Sequence, residues 1–260
     1  MPATLHRETY PAAYRSVRLE SRRELAPGLL RLRLQAEAPG GLAGFRAPGA
    51  GDHARVFVGT SDGSGSVPLD QEGLPVGDFR VETVVDHSTL RGWIDIDVLV
   101  HRDSAGAPVG LIGPWAEGAP LGSPAVVADP KGSVIMTGRP REWLLAGDDS
   151  AIPAIRRYLA LLAGSGSGTV LLETLHDPEA LELEVPGDVE LSILAPEAER
   201  PSGALVDAIT LLREPRAPIE GEFFVFACGE QSLVAPVRAQ LARWGIDVEQ
   251  AVVKGYWRRN

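Results

Sequence analysis

Apolar and polar residues alternate in several short stretches of the first half of the chain. An alternation with a period of two is typical of strands that bury one face. It is clearest over residues 16–20 and 30–34, and further strands are predicted over 53–58, 79–85 and 93–100. Segments rich in glycine and proline separate these strands, without a strong helical pattern between them. Residues 14–138 are therefore predicted to form an antiparallel β-barrel or sandwich.

The segments around these strands lack the alternating pattern. Residues 1–13 are expected to be a loose arm, and residues 37–51, 60–77 and 102–124 are expected to be loops. Two short apolar stretches, 125–127 and 133–136, are expected to close the set of strands.

The pattern changes near residue 139, where apolar runs begin to alternate with helical spacing. Ile152, Ile155, Leu159 and Leu162 recur on one helix face, and further helices are predicted over 203–213 and after Glu230. The predicted strands are 143–146, 169–174, 189–194, 223–227 and 247–253. Because such alternation favours a parallel sheet covered by helices, residues 139–260 are predicted to form a Rossmann-like α/β domain.

Composition excludes several classes of partner. The net charge of −10 argues against binding to nucleic acid or to an anionic membrane surface. A single cysteine rules out an internal disulfide, and five scattered histidines show no metal-ligand spacing. No apolar run is long enough to span a bilayer, and the first residues lack the apolar core of a signal peptide. We therefore expect a cytoplasmic protein without a metal site of its own.

Two predicted strand ends carry ligand-binding potential. Residues 147–150, with the sequence Gly-Asp-Asp-Ser, form a predicted turn in which Ser150 is expected to cap the following helix. A second turn, Cys228-Gly229-Glu230, follows the strand 223–227. Ligands of open α/β sheets bind at such carboxyl ends. A barrel followed by a sheet of this kind is the layout of flavin-dependent reductases.

Three segments of the second half resemble the siderophore-interacting protein family, a branch of the ferredoxin-reductase-like flavoproteins. Residues 147–154 are close to the family's GDETALPA, residues 226–230 are close to its WxAGE, and residues 254–259 are close to its closing GYWRxG. The resemblance implies an antiparallel Greek-key barrel that binds FAD over 14–138 and an NAD(P)H-binding-like α/β domain over 139–260. It also implies reduction of a ferric siderophore, which releases iron as Fe(II).

The flavin side of the resemblance departs from the family pattern. The family's RxYTxR aligns with residues 80–85, where Arg80 and Thr83 match, but Glu82 replaces the tyrosine and Val85 the second arginine. A carboxylate at Glu82 offers no aromatic face and is expected to repel a reduced, anionic flavin. The next family motif, H-G-x-x-G-P-A-x-x-W-A, is matched by His101, Gly106 and a displaced Pro108, with Leu111 at the tryptophan.

The resemblance assigns roles to individual residues, each with a plain structural alternative. Contacts to FAD or to the nucleotide are expected from the following residues: Arg80, Thr83, His101, Gly147, Asp148, Ser150, Ala151, Pro153, Gly229, Glu230, Tyr256 and Trp257. Asp148 and Asp149 oppose a phosphate on their turn, so ribose hydroxyls or no nucleotide contact fit it better. Cys228 is either a thiol beside the hydride-transfer site, and so a catalytic residue, or a small core residue.

The C-terminal cations complete the functional hypothesis. Lys254, Arg258 and Arg259 lie within six residues, and Lys254 and Arg258 are predicted to bind an anionic ferric siderophore, unless they form only a solvated tail. FAD is the expected cofactor, with NAD(P)H or ferredoxin as the electron donor, in a monomer or weak dimer. The alternatives are a flavin-free paralogue that binds a siderophore without reducing it, and a flavin reductase for an unrelated substrate.

Overall fold

A computed structural model describes residues 1–60, 65–212 and 222–259, and the chain divides into two compact units. One unit is Glu8–Ser133, and the other combines Met1–Arg7 with the residues from Val134 onward. The strands in the described ranges are β1 (Thr4–Thr9), β2 (Tyr14–Ala26), β3 (Leu29–Ala36), β4 (His53–Val58), β5 (Arg80–Ser88), β6 (Trp93–Leu99), β7 (Pro124–Ala128), β8 (Gly132–Thr137), β9 (Glu142–Asp148), β10 (Ser167–Glu173), β11 (Glu190–Leu194), β12 (Phe223–Glu230) and β13 (Ala251–Trp257). The α-helices are α1 (Ile112–Gly118), α2 (Ile152–Leu162), α3 (Gly203–Leu211) and α4 (Val234–Arg243).

The first unit is a closed barrel in the order β2-β3-β6-β5-β4-β7. Its neighbouring strands are antiparallel. The meander β4-β5-β6 has β3 beside its last strand, which is a Greek-key arrangement. Leu30, Leu32 and Leu34 are buried in the interior, whereas Arg31 and Arg33 between them form ion pairs with acids of β6. The predicted antiparallel barrel is therefore confirmed.

Three predictions around the barrel were wrong. The expected loose arm contains β1, whose polar residues are held by pairing with β8 rather than by burial of a face. Because β8 pairs with β1, the predicted strand 133–136 lies outside the barrel. Of the two stretches expected to close the barrel, only β7 belongs to it. The predicted loop 102–124 contains α1, whose Ile112 and Trp115 are buried in the barrel core. Part of the predicted loop 60–77, residues 61–64, lies outside the described residues.

The second unit contains a parallel five-stranded sheet in the order β11-β10-β9-β12-β13. The chain runs outward from β9 to β11 and then returns to the centre at β12. The carboxyl ends of β9 and β12 are therefore adjacent, and this is the topological switch point of the sheet. All four apolar residues predicted on α2, Ile152, Ile155, Leu159 and Leu162, are buried. The predicted α/β domain is confirmed.

Three strands of the sheet end further along the chain than predicted. β9 continues through Asp148, β12 through Glu230 and β13 through Trp257, because parallel pairing carries the backbone beyond the apolar runs. Helix α3 ends at Leu211, and residue 213 of its predicted range lies outside the described residues. Residues that were expected in turns are thus fixed at the edge of the sheet.

Candidate functional site

The barrel brings the predicted flavin residues to one of its ends. β5 and β6 are antiparallel, with Val84 opposite Ile96, so the beginning of β5 lies beside the end of β6. Arg80 begins β5, and His101 follows β6 by two residues. Thr83 lies three residues further along β5, where it is buried opposite His53. The three residues therefore share this end of the barrel.

Arg80 has the environment of an anion ligand. The residue is exposed, and its Nη1 donates to the carbonyl of Phe79 at 3.0 Å. Across the described part of the chain, no ion pair joins it to an acid. A guanidinium that is not engaged by a carboxylate can make bidentate bonds to a phosphate. Arg80 and the exposed His101 are thus compatible with the diphosphate of FAD.

Glu82 differs from the carboxylate that the sequence suggested. It is half-buried, and desolvation raises its pKa to about 8, although the nearby Arg80 acts in the opposite direction and Asp97 reinforces the rise. The side chain is therefore mostly a neutral acid at pH 7. Burial therefore weakens the expected repulsion of a reduced flavin, and that repulsion stays a prediction. What Glu82 lacks is only the aromatic face, so the residues at this barrel end fit FAD.

Trp115 is a second candidate for the tryptophan of the second flavin motif, which the sequence comparison aligned with Leu111. The motif separates its second glycine from tryptophan by five positions, which is the separation of Gly110 from Trp115. Trp115 lies in α1, is fully buried in the barrel core, and its Nε1 has no hydrogen-bond partner in the described ranges. The Trp-Ala pair 115–116 was the signal that could have located α1.

At the switch point of the sheet, Asp148 is surrounded by hydrogen-bond donors. It is 8% exposed and caps the turn of 3₁₀ helix Asp149–Ala151, accepting the N–H of Ser150 at 3.0 Å as well as its hydroxyl. Its other oxygen accepts Trp257 Nε1 at 2.8 Å and the Ser202 hydroxyl at 3.4 Å. Burial raises the pKa of Asp148, and the hydrogen bonds oppose this shift. The prediction that Ser150 caps the following helix was wrong, because Ala151 is the N-cap of α2 and Asp148 caps the 3₁₀ turn before it.

Two further acids end the neighbouring strands in the same manner. Glu173, at the end of β10, is buried and accepts the backbone N–H groups of Ser202 at 2.8 Å and Leu205 at 3.3 Å, where α3 begins. Desolvation raises its pKa. Glu230, at the end of β12, accepts the N–H of Ser232 and that of Arg259, and the hydrogen bonds from Ser232 lower its pKa. Glu173 and Ser202 were missed by the sequence analysis, although an acid at each strand end was a visible signal.

Glycines at this edge permit a close approach of the chain to itself. A Cβ at Gly229 would lie 2.8 Å from both Asp148 Oδ2 and Ser202 Oγ, and one at Gly147 would lie 2.9 Å from the carbonyl of Cys228. Ala151 and Pro153 are buried at the start of α2. The predicted nucleotide-side residues 147–153, Gly229 and Glu230 are therefore brought together.

Cys228 lies in β12 opposite Lys254 and is completely buried. Desolvation raises the pKa of its thiol to about 12, against the hydrogen-bonding effects of Lys254 and Tyr256. A thiol in this state carries no nucleophilic thiolate at neutral pH. Its catalytic role stays a prediction, and its environment favours the alternative of a core residue.

The C-terminal residues are part of a strand rather than a solvated tail. Lys254 and Arg258 are exposed, whereas Tyr256 and Trp257 are half-buried, with the Tyr256 ring edge-on to Phe226. Lys254 lies within β13, and Arg258 directly follows it. Cations are thus presented at the carboxyl edge of the sheet. In the described ranges, no cluster of three or more potential ligands could hold a metal ion. A search of the same ranges found no helix long and apolar enough to cross a membrane.

Comparison with known proteins agrees with this architecture. Residues 18–134 match the siderophore-interacting FAD-binding domain, and residues 140–260 match the siderophore-interacting protein model. A siderophore utilization protein from T. fusca has a similar structure, with a TM-score of 0.81 and 26% identity over 99% of this chain and 97% of that one.

Relatives found by sequence match smaller shares of the chain. An uncharacterised protein of Mycobacterium tuberculosis is 32% identical over 64% of this chain, and the match spans only 60% of that relative's length. Ferric vibriobactin reductase of Vibrio cholerae is 27% identical over 90% of this chain and 86% of its own. An NADPH-dependent ferric-chelate reductase of Escherichia coli is 30% identical over 54% of this chain and 53% of its own. With both of its domains matched, the chain belongs to the siderophore-interacting protein family.

Proposed function

We propose that this protein is an FAD-dependent ferric-siderophore reductase that takes electrons from NAD(P)H and releases iron as Fe(II). The observation that carries the proposal is the presence, in one chain, of an FAD-binding barrel and a sheet edge with exposed cations. The names of the Vibrio and Escherichia relatives, a ferric vibriobactin reductase and a ferric-chelate reductase, support the same reaction.

At the barrel, the protein binds and orients the cofactor. Arg80 and His101 supply polar contacts for its phosphates, and Thr83 fixes the strand between them. Glu82 remains neutral at pH 7 and adds no opposing charge. The chemistry that bound FAD would supply is acceptance of a hydride and release of its two electrons one at a time, so that each NAD(P)H would reduce two ferric ions. The ferric ion arrives in its chelate, so no protein ligand for iron is required.

At the sheet, Lys254 and Arg258 attract an anionic ferric chelate against the overall negative charge of the protein. The acids at the turn 147–150 are better matched to ribose hydroxyls, which donate hydrogen bonds, than to phosphates. NAD(P)H is therefore proposed to meet this edge through its riboses, with ferredoxin as the alternative donor. We further propose functional domains at 14–138 and 139–260, and a monomer or weak dimer in the cytoplasm.

A flavin-free siderophore carrier is the second candidate. It is favoured by Glu82 and Val85, which replace the aromatic and the second cationic residue of the family's flavin motif. The loss of one aromatic contact and one charged hydrogen bond weakens FAD binding by roughly 1–3 kcal/mol each. Such a carrier would bind the chelate without changing the oxidation state of the iron.

One experiment distinguishes the reductase from the carrier. Purified protein is incubated with FAD, NADPH and a ferric tris-catecholate siderophore, and Fe(II) is trapped by a coloured chelator. The reductase produces Fe(II) at a rate that depends on both FAD and protein. Chelate binding without FAD binding and without Fe(II) would establish the carrier instead.

A further inference from the structure

The switch-point crevice is filled by the protein's own chain. Doubly wound sheets commonly receive a ligand between the two diverging strand ends. Here the Ser202 hydroxyl occupies this place: it donates to Asp148 at 3.4 Å and accepts the N–H of Glu230 at 3.0 Å. Ser202 is 1% exposed, and its own N–H donates to Glu173. One buried serine thus connects the acids that end β9, β10 and β12.

The backbone of Ser202 indicates that this arrangement is imposed by its surroundings. Its φ is +57°, a left-handed conformation that costs a non-glycine residue of the order of 1 kcal/mol. Gly229 permits the same contact from the other side, because a Cβ there would meet both Asp148 and Ser202 at 2.8 Å. Even a methyl group at residue 229 would therefore push the cluster apart.

The filled crevice also holds the end of the C-terminal strand. Trp257 donates its indole N–H to Asp148 at 2.8 Å, and the backbone N–H of Arg259 donates to Glu230 at 3.1 Å. These two bonds lie on either side of Arg258 and follow Lys254 by three and five residues. These bonds therefore connect the segment that carries Lys254 and Arg258 to the buried acids of the switch point.

Strand pairing alone fixes this segment poorly. β13 is the last strand of the sheet and pairs only with β12 among the described strands. Its register shifts where it reaches the cations, since Gly229 faces Gly255 but Glu230 faces Trp257. An irregular edge ladder tolerates local opening. Side-chain bonds from the crevice are thus needed where the ladder becomes irregular.

We propose that Asp148 is a positioning residue, which uses the switch-point crevice to fix Trp257 and thereby holds Lys254 and Arg258 in place for an anionic ferric chelate. The claim that Lys254 and Arg258 are held in place for a ferric chelate rests on the proposed function. The part concerning the segment rests only on the hydrogen bonds and the register described above.

The first test measures backbone amide exchange over residues 252–259 in the full chain. Trp257→Phe removes the indole donor and retains the ring, so exchange is expected to rise about fivefold, the equivalent of one hydrogen bond. Asp148→Ala should give a similar or larger rise, and Asp148→Asn, which retains one acceptor oxygen, a smaller one. Trp143→Phe is the control, because Trp143, at the start of β9, likewise donates its indole N–H within the protein, to the carbonyl of Ser165 at 2.6 Å.

The second test measures binding of a ferric tris-catecholate siderophore to FAD-loaded protein without an electron donor. Trp257→Phe should raise Kd about threefold to fivefold and Trp143→Phe should leave it unchanged. Under steady-state turnover, Trp257→Phe should raise KM for the chelate.

The outcomes separate this inference from the proposed function. Unchanged exchange over 252–259 in Trp257→Phe and Asp148→Asn overturns the positioning role, whatever the chelate does. A second outcome is that exchange rises in Trp257→Phe without a rise in Kd, while Lys254→Ala does weaken binding. That result would mean that the crevice holds the strand but has no role in binding the chelate, and this part of the proposal would fail. If wild-type protein binds no ferric chelate, the proposed function fails, and exchange still decides whether Asp148 fixes the segment.

Discussion

Buried acids are satisfied by different partners in the two units of the molecule. On the outer face of the barrel, Asp97 pairs with Arg31 and Asp95 with Arg33, each through two N–H···O bonds of 2.7–2.9 Å. At the sheet edge, the acids that end β9, β10 and β12 instead accept backbone N–H groups, hydroxyls and an indole. Cations balance these two acids of the barrel, whereas hydrogen-bond donors of the chain itself solvate the three acids of the sheet.

The difference follows from topology. In an antiparallel barrel, residues of neighbouring strands face each other directly, and Arg31 is in register with Asp97 as Arg33 is with Asp95. In a parallel sheet, each strand end is followed by a turn or helix whose first N–H groups lack partners, and an acid can cap them. Charge pairing therefore stabilises the barrel wall, and capping organises the edge where a ligand would bind.

The largest expected effect comes from breaking a barrel ion pair. Arg31→Ala should lower the free energy of unfolding by about 3–5 kcal/mol, because the Asp97 side chain is 0% exposed and would lose its bidentate cation partner. Arg33→Ala is the control, since Arg33 is 37% exposed and water can replace it. Urea unfolding followed by circular dichroism measures both, and equal losses would contradict the distinction.

Glu82 is a half-buried acid of the barrel wall, and its effect on stability depends on pH. Its pKa is raised from 4.5 to about 8, so the folded state holds more protons than the unfolded state between these values and stability falls as pH rises. Glu82→Gln should leave stability unchanged near pH 4.5 and increase it by about 1–3 kcal/mol above pH 8, after allowance for partial exposure. Thermal unfolding across this range checks the sign, and a destabilised Gln variant at high pH would refute it.

Restoring an aromatic residue at position 82 should strengthen the binding of FAD to the barrel. Glu82→Tyr is expected to lower Kd for FAD about threefold to tenfold through a ring contact. Val81→Tyr, at an exposed neighbouring position of β5, is the control and should have little effect. Calorimetric titration of apoprotein with FAD measures both, and an unchanged Kd in the Glu82 variant means that this strand is aligned incorrectly with the family motif.

The smallest effect is expected for the exposed cation at the sheet edge. Lys254→Ala should weaken binding of a ferric tris-catecholate by about 0–1 kcal/mol at low salt, and the difference should disappear at high salt. Lys131→Ala makes the same change of net charge at an exposed position of the other unit. If both variants bind alike at low salt, Lys254 has no local role in substrate binding.

The sequence predicted those elements whose residues show a periodic pattern of burial. β3 and α2 were found because Leu30, Leu32 and Leu34 and the apolar face of α2 report burial directly. β1 was missed because its residues are mostly exposed and only backbone pairing holds it. α1 was missed because it is one short helix with internal glycine and proline, and it is buried only when the barrel closes around Trp115.

The candidate site was predictable in part for a related reason. Asp148 and Glu230 lie in recognisable motifs, so the family resemblance located them. Ser202 and Glu173 are 54 and 25 residues from Asp148 along the chain, and only the parallel sheet brings them to it. Likewise, the neutral state of Glu82 arises from burial in the folded barrel, which a residue-by-residue comparison does not contain.

The most direct test of the reductase is an anaerobic visible absorption experiment on FAD-loaded protein after removal of free cofactor. The account predicts that flavin absorption is retained, that NADPH bleaches it, and that a ferric tris-catecholate siderophore restores it with release of two Fe(II) for each NADPH oxidised. Protein that retains no flavin, or reduced flavin that the ferric chelate fails to reoxidise, would contradict it.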